Sequence, residues 1–282
     1  MFNRLCLAFA FSPRAEALLF EAARLTHVFK AYLSILHVGE CTLEEKNQIS
    51  NLLLKHGLTE KQFEIICESG SPSKVILSVC SREKIDLLIA GALQKENLLK
   101  YYLGTIGRTI LRKSDCSVLM LTNPTEGGMP LNNIVTLAED SPYIEKAIAA
   151  SCWLAQALNS KWIHIVCELK MFGLTLSAMD QSSEVEYNRQ LHQLVQDEIE
   201  RVEEILKHLP NPGAKVNIKV ISGKSGFELA RFAEKKHADL LVVGAPERRF
   251  HFFDRLFRHD LEYVFANMPS NLLIVHGKRH AD

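Results

Sequence analysis

Few side chains in this 282-residue chain stand where type and spacing could do chemistry, and most lack the partners a reaction needs. His276 and His280 stand four apart, but none of the eleven histidines falls in a Cys/His cluster, so no metal site is expected. The seven cysteines, Cys6, Cys41, Cys67, Cys80, Cys116, Cys152 and Cys167, are odd in number and scattered, without a CxxC. Cys6 and Cys67 lie inside apolar strand patterns, where a thiol acts as a small hydrophobe. Core or incidental thiols are therefore expected in preference to a disulfide framework. Glu139-Asp140 reads as a turn or helix-start acid pair, and no Ser/His/Asp or Cys/His set can be assembled. Arg248, Arg249, His251, Arg255, Arg258 and His259 make one loop locally basic, but Glu247, Asp254 and Asp260 offset part of that. With Phe250, Phe252, Phe253 and Phe257 among them, a solvated loop docked by its phenylalanines is expected over an anion site. Catalysis is not expected.

The elements that position these residues occur twice. Leu5 to Ala10 is an apolar strand running into Phe11-Ser12-Pro13, and Ile134 to Glu139 runs likewise into Asp140-Ser141-Pro142. Asp86-Leu87-Leu88-Ile89-Ala90-Gly91-Ala92 is echoed by Asp239-Leu240-Leu241-Val242-Val243-Gly244-Ala245. The chain is thus a tandem of one α/β unit: domain 1 over 1–122, a turn-rich linker over 123–131, and domain 2 over 132–282. In the first copy, strands are expected at 4–10, 32–38, 63–67, 87–90 and 118–121. Helices start at Ser12-Pro13, with a hydroxyl cap and proline at the first position, near 43, at Ser71-Pro72 and at 105. The second copy repeats the order, with strands near 133–138, 161–167, 215–221, 239–243 and 271–275. Its second helix, 184–208, carries a buried stripe of Leu191, Leu194, Ile199, Val202, Ile205 and Leu206. The offset between copies grows from 129 at Ser12/Ser141 to 153 at Gly91/Gly244, which places an insertion mostly in Glu168 to Glu186.

Strands alternating with helices imply parallel sheets covered on both faces, with ligands beyond the carboxyl ends where strand order reverses. Candidate ligand positions are 10–12, 38–41 and 91–105 in the first copy, and 139–141, 167–170 and 244–259 in the second. Lys+Arg and Asp+Glu balance at 33 each, so no overall field favours nucleic acid or an anionic membrane as partner. The N-terminus lacks a signal-peptide pattern, no apolar run reaches membrane-spanning length, and a cytoplasmic protein is expected.

At Gly91 the sequence resembles the universal stress protein family in its tandem form, through the duplicated Asp-Leu-Leu-x-x-Gly strands and both Ser-Pro turns. The resemblance implies Rossmann-like domains of strand order 3-2-1-4-5. It also implies an ATP site built on Gly, two residues, Gly, nine residues, then Gly with Ser or Thr, and an acid ending the first strand. Glycines let backbone approach phosphates, and the last pair sets amides and a hydroxyl at a helix N-terminus. The first copy keeps Gly91, Gly104 and Thr105 in register, with Gln94 at the middle glycine and Ala10 where the acid stands. Gly91 reads equally as a strand end, and Gly104-Thr105 as a helix cap. Candidate cofactor contacts are Ala10, Phe11, Ser12, Val38, Gly91, Gln94, Gly104 and Thr105. The second copy keeps Glu139 and Gly244, but Glu247 and either Phe257-Arg258 or Arg258-His259 replace the rest, so ordinary ATP binding there is not expected. Neither a Ser-Gly-Gly-x-Asp-Ser loop nor a His-x-Gly-His motif of related nucleotide enzymes occurs. The expectation is a non-enzymatic stress-response regulator or scaffold with at most weak ATP binding in domain 1, or a nucleotide-independent interaction module. The resemblance further implies pairing of the copies through Val118 to Leu121 and Leu272 to Val275, an unidentified protein partner, and a homodimer as a further assembly.

Overall fold

The computed structural model describes residues 1–94, 101–139, 141–169, 181–222, 225–245 and 259–276. In the first copy the elements are β1 (Arg4–Phe9), α1 (Ala15–Phe29), β2 (Tyr32–His37), α2 (Leu43–Lys55), β3 (Phe63–Cys67), α3 (Pro72–Arg82) and β4 (Leu87–Gly91). A small hairpin follows, β5 (Leu93–Gln94) and β6 (Tyr101–Tyr102), then α4 (Thr105–Lys113) and β7 (Ser117–Leu121). The second copy runs β8 (Asn133–Leu137), α5 (Ile144–Leu158), β9 (Trp162–Leu169), α6 (Gln181–Lys207), β10 (Lys215–Ser222), α7 (Ser225–Lys235), β11 (Leu240–Ala245), α8 (His259–Ala266) and β12 (Asn271–His276).

Local chemistry accounts for the boundaries. Thr42 and Glu45 form a reciprocal capping box that starts α2, and Pro72 opens α3, where its missing N–H costs nothing. Helices α1 and α5 both end in a left-handed residue, Lys30 and Asn159, which turns the chain back into the next strand. One expectation fails at the start of α1. Arg14, not Ser12, is the cap residue, with no side-chain cap bond, and the Ser12 carbonyl accepts from the Ala15 N–H at 2.9 Å. Ser12-Pro13 belongs to the turn because Arg14 is drawn towards the sheet. Tyr143 stands likewise before α5.

All ten long strands form one sheet, in the order β10-β9-β8-β11-β12-β7-β4-β1-β2-β3. Each half is parallel and reads 3-2-1-4-5 within its own copy. The halves meet where β12 lies antiparallel to β7, with Leu272 opposite Met120, Leu273 opposite Leu119 and Ile274 opposite Val118. Two apolar layers cover the sheet, and each spans both copies. Helices α1, α2, α5 and α6 close one layer, and α3, α4, α7 and α8 the other. The expected stripe of α6 is only half realised. Val202 is fully buried, whereas Leu194 is exposed, so the helix packs only through its C-terminal half. Part of the inserted stretch lies outside the described residues. The linker is docked as well: Met129 is buried, and its N–H donates to Glu21, a buried carboxylate that is also paired with Arg24.

Candidate functional site

The strand order of the first copy reverses between β2 and β4 around β1, and the register brings the candidate residues to one end of the sheet. Phe9 is opposite His37, and Gly91 is opposite Leu121. Ala10, Phe11 and Ser12 therefore follow β1 at the same rim where Val38 follows β2 and Gly91 ends β4. Ala10, Phe11 and Ser12 are exposed, and Val38 is half-buried. The Phe11 ring meets Phe9 and His37 edge-on or tilted, each at 5.1 Å, which leaves an aromatic lip on the β2 side. Opposite it, Gly104 is the cap residue of α4 and Thr105 its first, exposed residue. A Cβ at Gly104 would come within 2.7 Å of Leu93 Cδ1, and one at Gly91 within 3.3 Å of Leu18 Cδ1. Both glycines thus answer close packing in the protein itself.

Two features at this rim escaped the sequence reading. The segment between Gly91 and Gly104 carries the β5–β6 hairpin, with Gln94 opposite Tyr101. Gln94, at the middle glycine position, is an exposed strand residue. The hairpin is latched onto the other copy. Tyr101 bridges Met268, the Met268 N–H donates to the Tyr101 carbonyl at 3.0 Å, and the Leu103 N–H donates to the Phe265 carbonyl at 2.9 Å. The second feature is Arg14, whose guanidinium donates to the Ala92 carbonyl at 2.6 Å and the Thr122 carbonyl at 2.8 Å, and lies over the Tyr101 ring. A cation thus joins the first βα turn to the ends of β4 and β7. An arginine after Ser-Pro carries no pattern that would announce this role.

In the second copy the corresponding turn approaches more closely. A Cβ at Gly244 would lie 2.9 Å from the Tyr143 carbonyl oxygen. Glu139 is half-buried two residues beyond the end of β8. The aromatic and basic loop from Glu247 to Arg258 lies outside the described residues.

The cysteines require a correction. Cys41 and Cys67 are joined in a disulfide, with Cα atoms 5.9 Å apart across 26 positions of sequence. Parallel pairing explains it: β3 ends level with β2, Cys67 opposite His37, so the loop after β2 passes the end of β3. The other five cysteines are free and buried. Burial pushes the Cys152 and Cys167 thiols up to about 11, and a hydrogen bond with Cys80, then burial, raises Cys116, so none of these three is poised as a nucleophile. Among the described residues no cluster of three or more His, Cys, Asp or Glu could hold a metal ion, and no helix is long and apolar enough to cross a membrane.

Two α/β units of order 3-2-1-4-5, fused through their last strands, define a tandem Rossmann-like protein. The family model of the universal stress protein family matches residues 1–122 and 131–276, and the chain belongs to that family. Solved structures share the whole architecture. A protein of unknown function from Pseudomonas aeruginosa PAO1 is 15% identical with a TM-score of 0.69, over 98% of this chain and 92% of that one. A universal stress protein from Archaeoglobus fulgidus DSM 4304 is 13% identical with a TM-score of 0.67, over 98% and 99%. A putative universal stress protein from Pseudomonas aeruginosa UCBPP-PA14 is 15% identical with a TM-score of 0.69, over 98% and 93%. At such identities the likeness establishes the fold alone. No curated protein matches significantly.

Proposed function

We propose that this tandem universal stress protein is a non-enzymatic regulator or scaffold of a stress response, with at most weak ATP binding in its first copy. The observation that carries this reading is the Arg14 bridge to the Ala92 and Thr122 carbonyls. It spans the strand ends that a nucleotide would have to approach. Gly91, Gly104 and Thr105 keep part of a phosphate cradle, but Ala10 offers no charge to the nucleoside end. A charge-assisted hydrogen bond contributes about 1.5–3 kcal/mol, so its loss weakens binding roughly ten- to hundredfold. Dissociation constants on the order of tens of micromolar or weaker follow.

The latched hairpin favours a second reading, a nucleotide-independent interaction module, because the segment between Gly91 and Gly104 is engaged by the other copy. The partner in either case is a protein, with a second copy of this chain as one candidate, and neither nucleic acid nor membrane. A cytoplasmic location accords with the five free thiols, whereas a bond such as Cys41–Cys67 is uncommon in that compartment. Calorimetric titration with Mg-ATP decides between the two readings. Weak heat abolished by Gly104→Trp supports residual binding, and no heat at millimolar ATP leaves the interaction module. Sub-micromolar binding would overturn both.

A further inference from the structure

The two copies can be compared with each other at the opposite end of the sheet, where the strands begin, and there their charges differ. In the first copy Arg4, Tyr32, Ser34 and Glu64 lie across β1, β2 and β3, with Arg82 and Glu83 at the end of α3. This set satisfies itself. The Ser34 hydroxyl donates to Glu64 at 2.8 Å, Arg82 pairs with Glu83 at 3.1 Å, and Arg4 approaches Glu83 at 3.7 Å. Arg82 also pairs with Glu68 at 3.0 Å, so the arginines here are neutralised by neighbouring carboxylates.

The register and the inter-copy offsets identify the same six positions in the second copy as Asn133, Trp162, His164, Asn217, Lys235 and Lys236. These six line an open groove. Both carboxylates are gone: Asn217 stands for Glu64 and Lys236 for Glu83. Lys215, opposite Trp162 on the edge strand β10, adds a third ammonium. No salt bridge to Lys215, Lys235 or Lys236 is formed among the described residues. Asp239 lies at the same end, but its Oδ2 accepts from the Asn132 and Asn133 backbone N–H groups at 2.8 and 2.9 Å.

The groove is ordered rather than a loose fringe of lysines. Trp162 and His164 stack with planes 5° apart, and Phe232 meets His164 edge-on at 5.9 Å. Lys215 Nζ lies 5.3 Å from the Trp162 ring centre and Lys236 Nζ lies 5.9 Å from that of Phe232, so cation–π contacts hold an ammonium at each end of the aromatic row. Asn217 Nδ2 lies 3.2 Å from His164 Nδ1 and donates to it, which leaves the imidazole proton on Nε2. The side chains at the groove are therefore predominantly donors and cations.

We infer that this groove is a binding site for a small, multiply charged phosphate anion, separate from the crevice of the first copy and formed by Lys215, Lys235, Lys236, His164 and Asn217. The duplicated positions differ in that an amide and an ammonium stand where the first copy has two carboxylates, which leaves the cations of this groove free to receive an anion. Nothing in it depends on whether the first copy binds ATP.

The test uses the full chain and inorganic tripolyphosphate as probe, titrated calorimetrically and by the fluorescence of Trp162. Saturable binding with one site per chain is expected, accompanied by a fluorescence change that Trp162→Phe removes. Lys235→Ala with Lys236→Ala should weaken binding by at least about tenfold while leaving the thermal midpoint of the free protein in place. Asn217→Glu with Lys236→Glu, which puts back the two carboxylates of the first copy, should abolish binding. Absence of saturable binding at millimolar probe would overturn the proposal, as would binding that either pair of substitutions leaves unchanged.

Discussion

His164 sits buried on β9, stacked on Trp162 and hydrogen-bonded to Asn217. Burial, and then the charge of Lys236, hold its pKa below the ordinary imidazole value. The unfolded chain therefore takes up a proton at higher pH than the folded one. Stability is lost as pH falls from the unfolded value, about 6.5, towards the lower folded value. His164→Gln removes that dependence. Urea denaturation at a series of pH values should show the variant gaining on the parent protein as pH falls from about 7 to about 5. A gap that stays constant would mean that His164 titrates alike in both states. Residues like this were not legible in the sequence, because a histidine alternating with apolar neighbours reads only as a strand residue. Gly91 and Gly104 were legible, since glycine marks a close approach of backbone, but what approaches them is Leu18 and Leu93. The crevice-spanning role of Arg14 needed three elements brought together, and no local pattern encodes that.

Helices and strands were the most legible level. The period of the apolar residues and the Gly104 cap locate α4 at 105–113, as found. The β5–β6 hairpin was invisible because two-residue strands carry no period, and its stability comes from the other copy. The α6 stripe is buried only in part, since a helical period says which residues could be buried but not whether a partner surface reaches them. The Cys41–Cys67 bond shows the same limit. Spacing of 26 residues means little until β2 and β3 lie side by side. That bond ties the loop leading into α2 to the end of β3. By constraining the unfolded chain it should stabilise domain 1 by about 3 kcal/mol. Cys41→Ser with Cys67→Ser, or treatment with a dithiol reductant, should lower the urea midpoint accordingly. Identical midpoints for oxidised and reduced protein would show that the bond carries no such load.

The duplication itself was readable from sequence, because the two copies repeat their strands and turns in the same order; how firmly the copies are fused was not. Pairing of β7 with β12 makes the sheet continuous, and contacts on both faces reinforce it. On one face Trp153 of α5 packs its ring against Phe2 and Phe29, at 5.7 and 4.8 Å. On the other, Glu262 of α8 pairs with Arg108 and Arg112 of α4, and Tyr101 bridges Met268. At the seam, the Thr122 N–H and hydroxyl both donate to the Asn271 amide oxygen, at 2.9 and 3.1 Å, while the Asn271 amide group donates to the Asp239 carbonyl. Domains joined only by a linker unfold independently, whereas these share two core layers and a strand pair. We therefore expect one cooperative transition in scanning calorimetry. Leu273 lies at the seam opposite Leu119 and is buried. Leu273→Ala, a large-to-small core change costing about 2–5 kcal/mol, should move that whole transition to lower temperature. If the scan resolves two transitions, or if the substitution shifts only part of the heat, the seam joins the copies without coupling them.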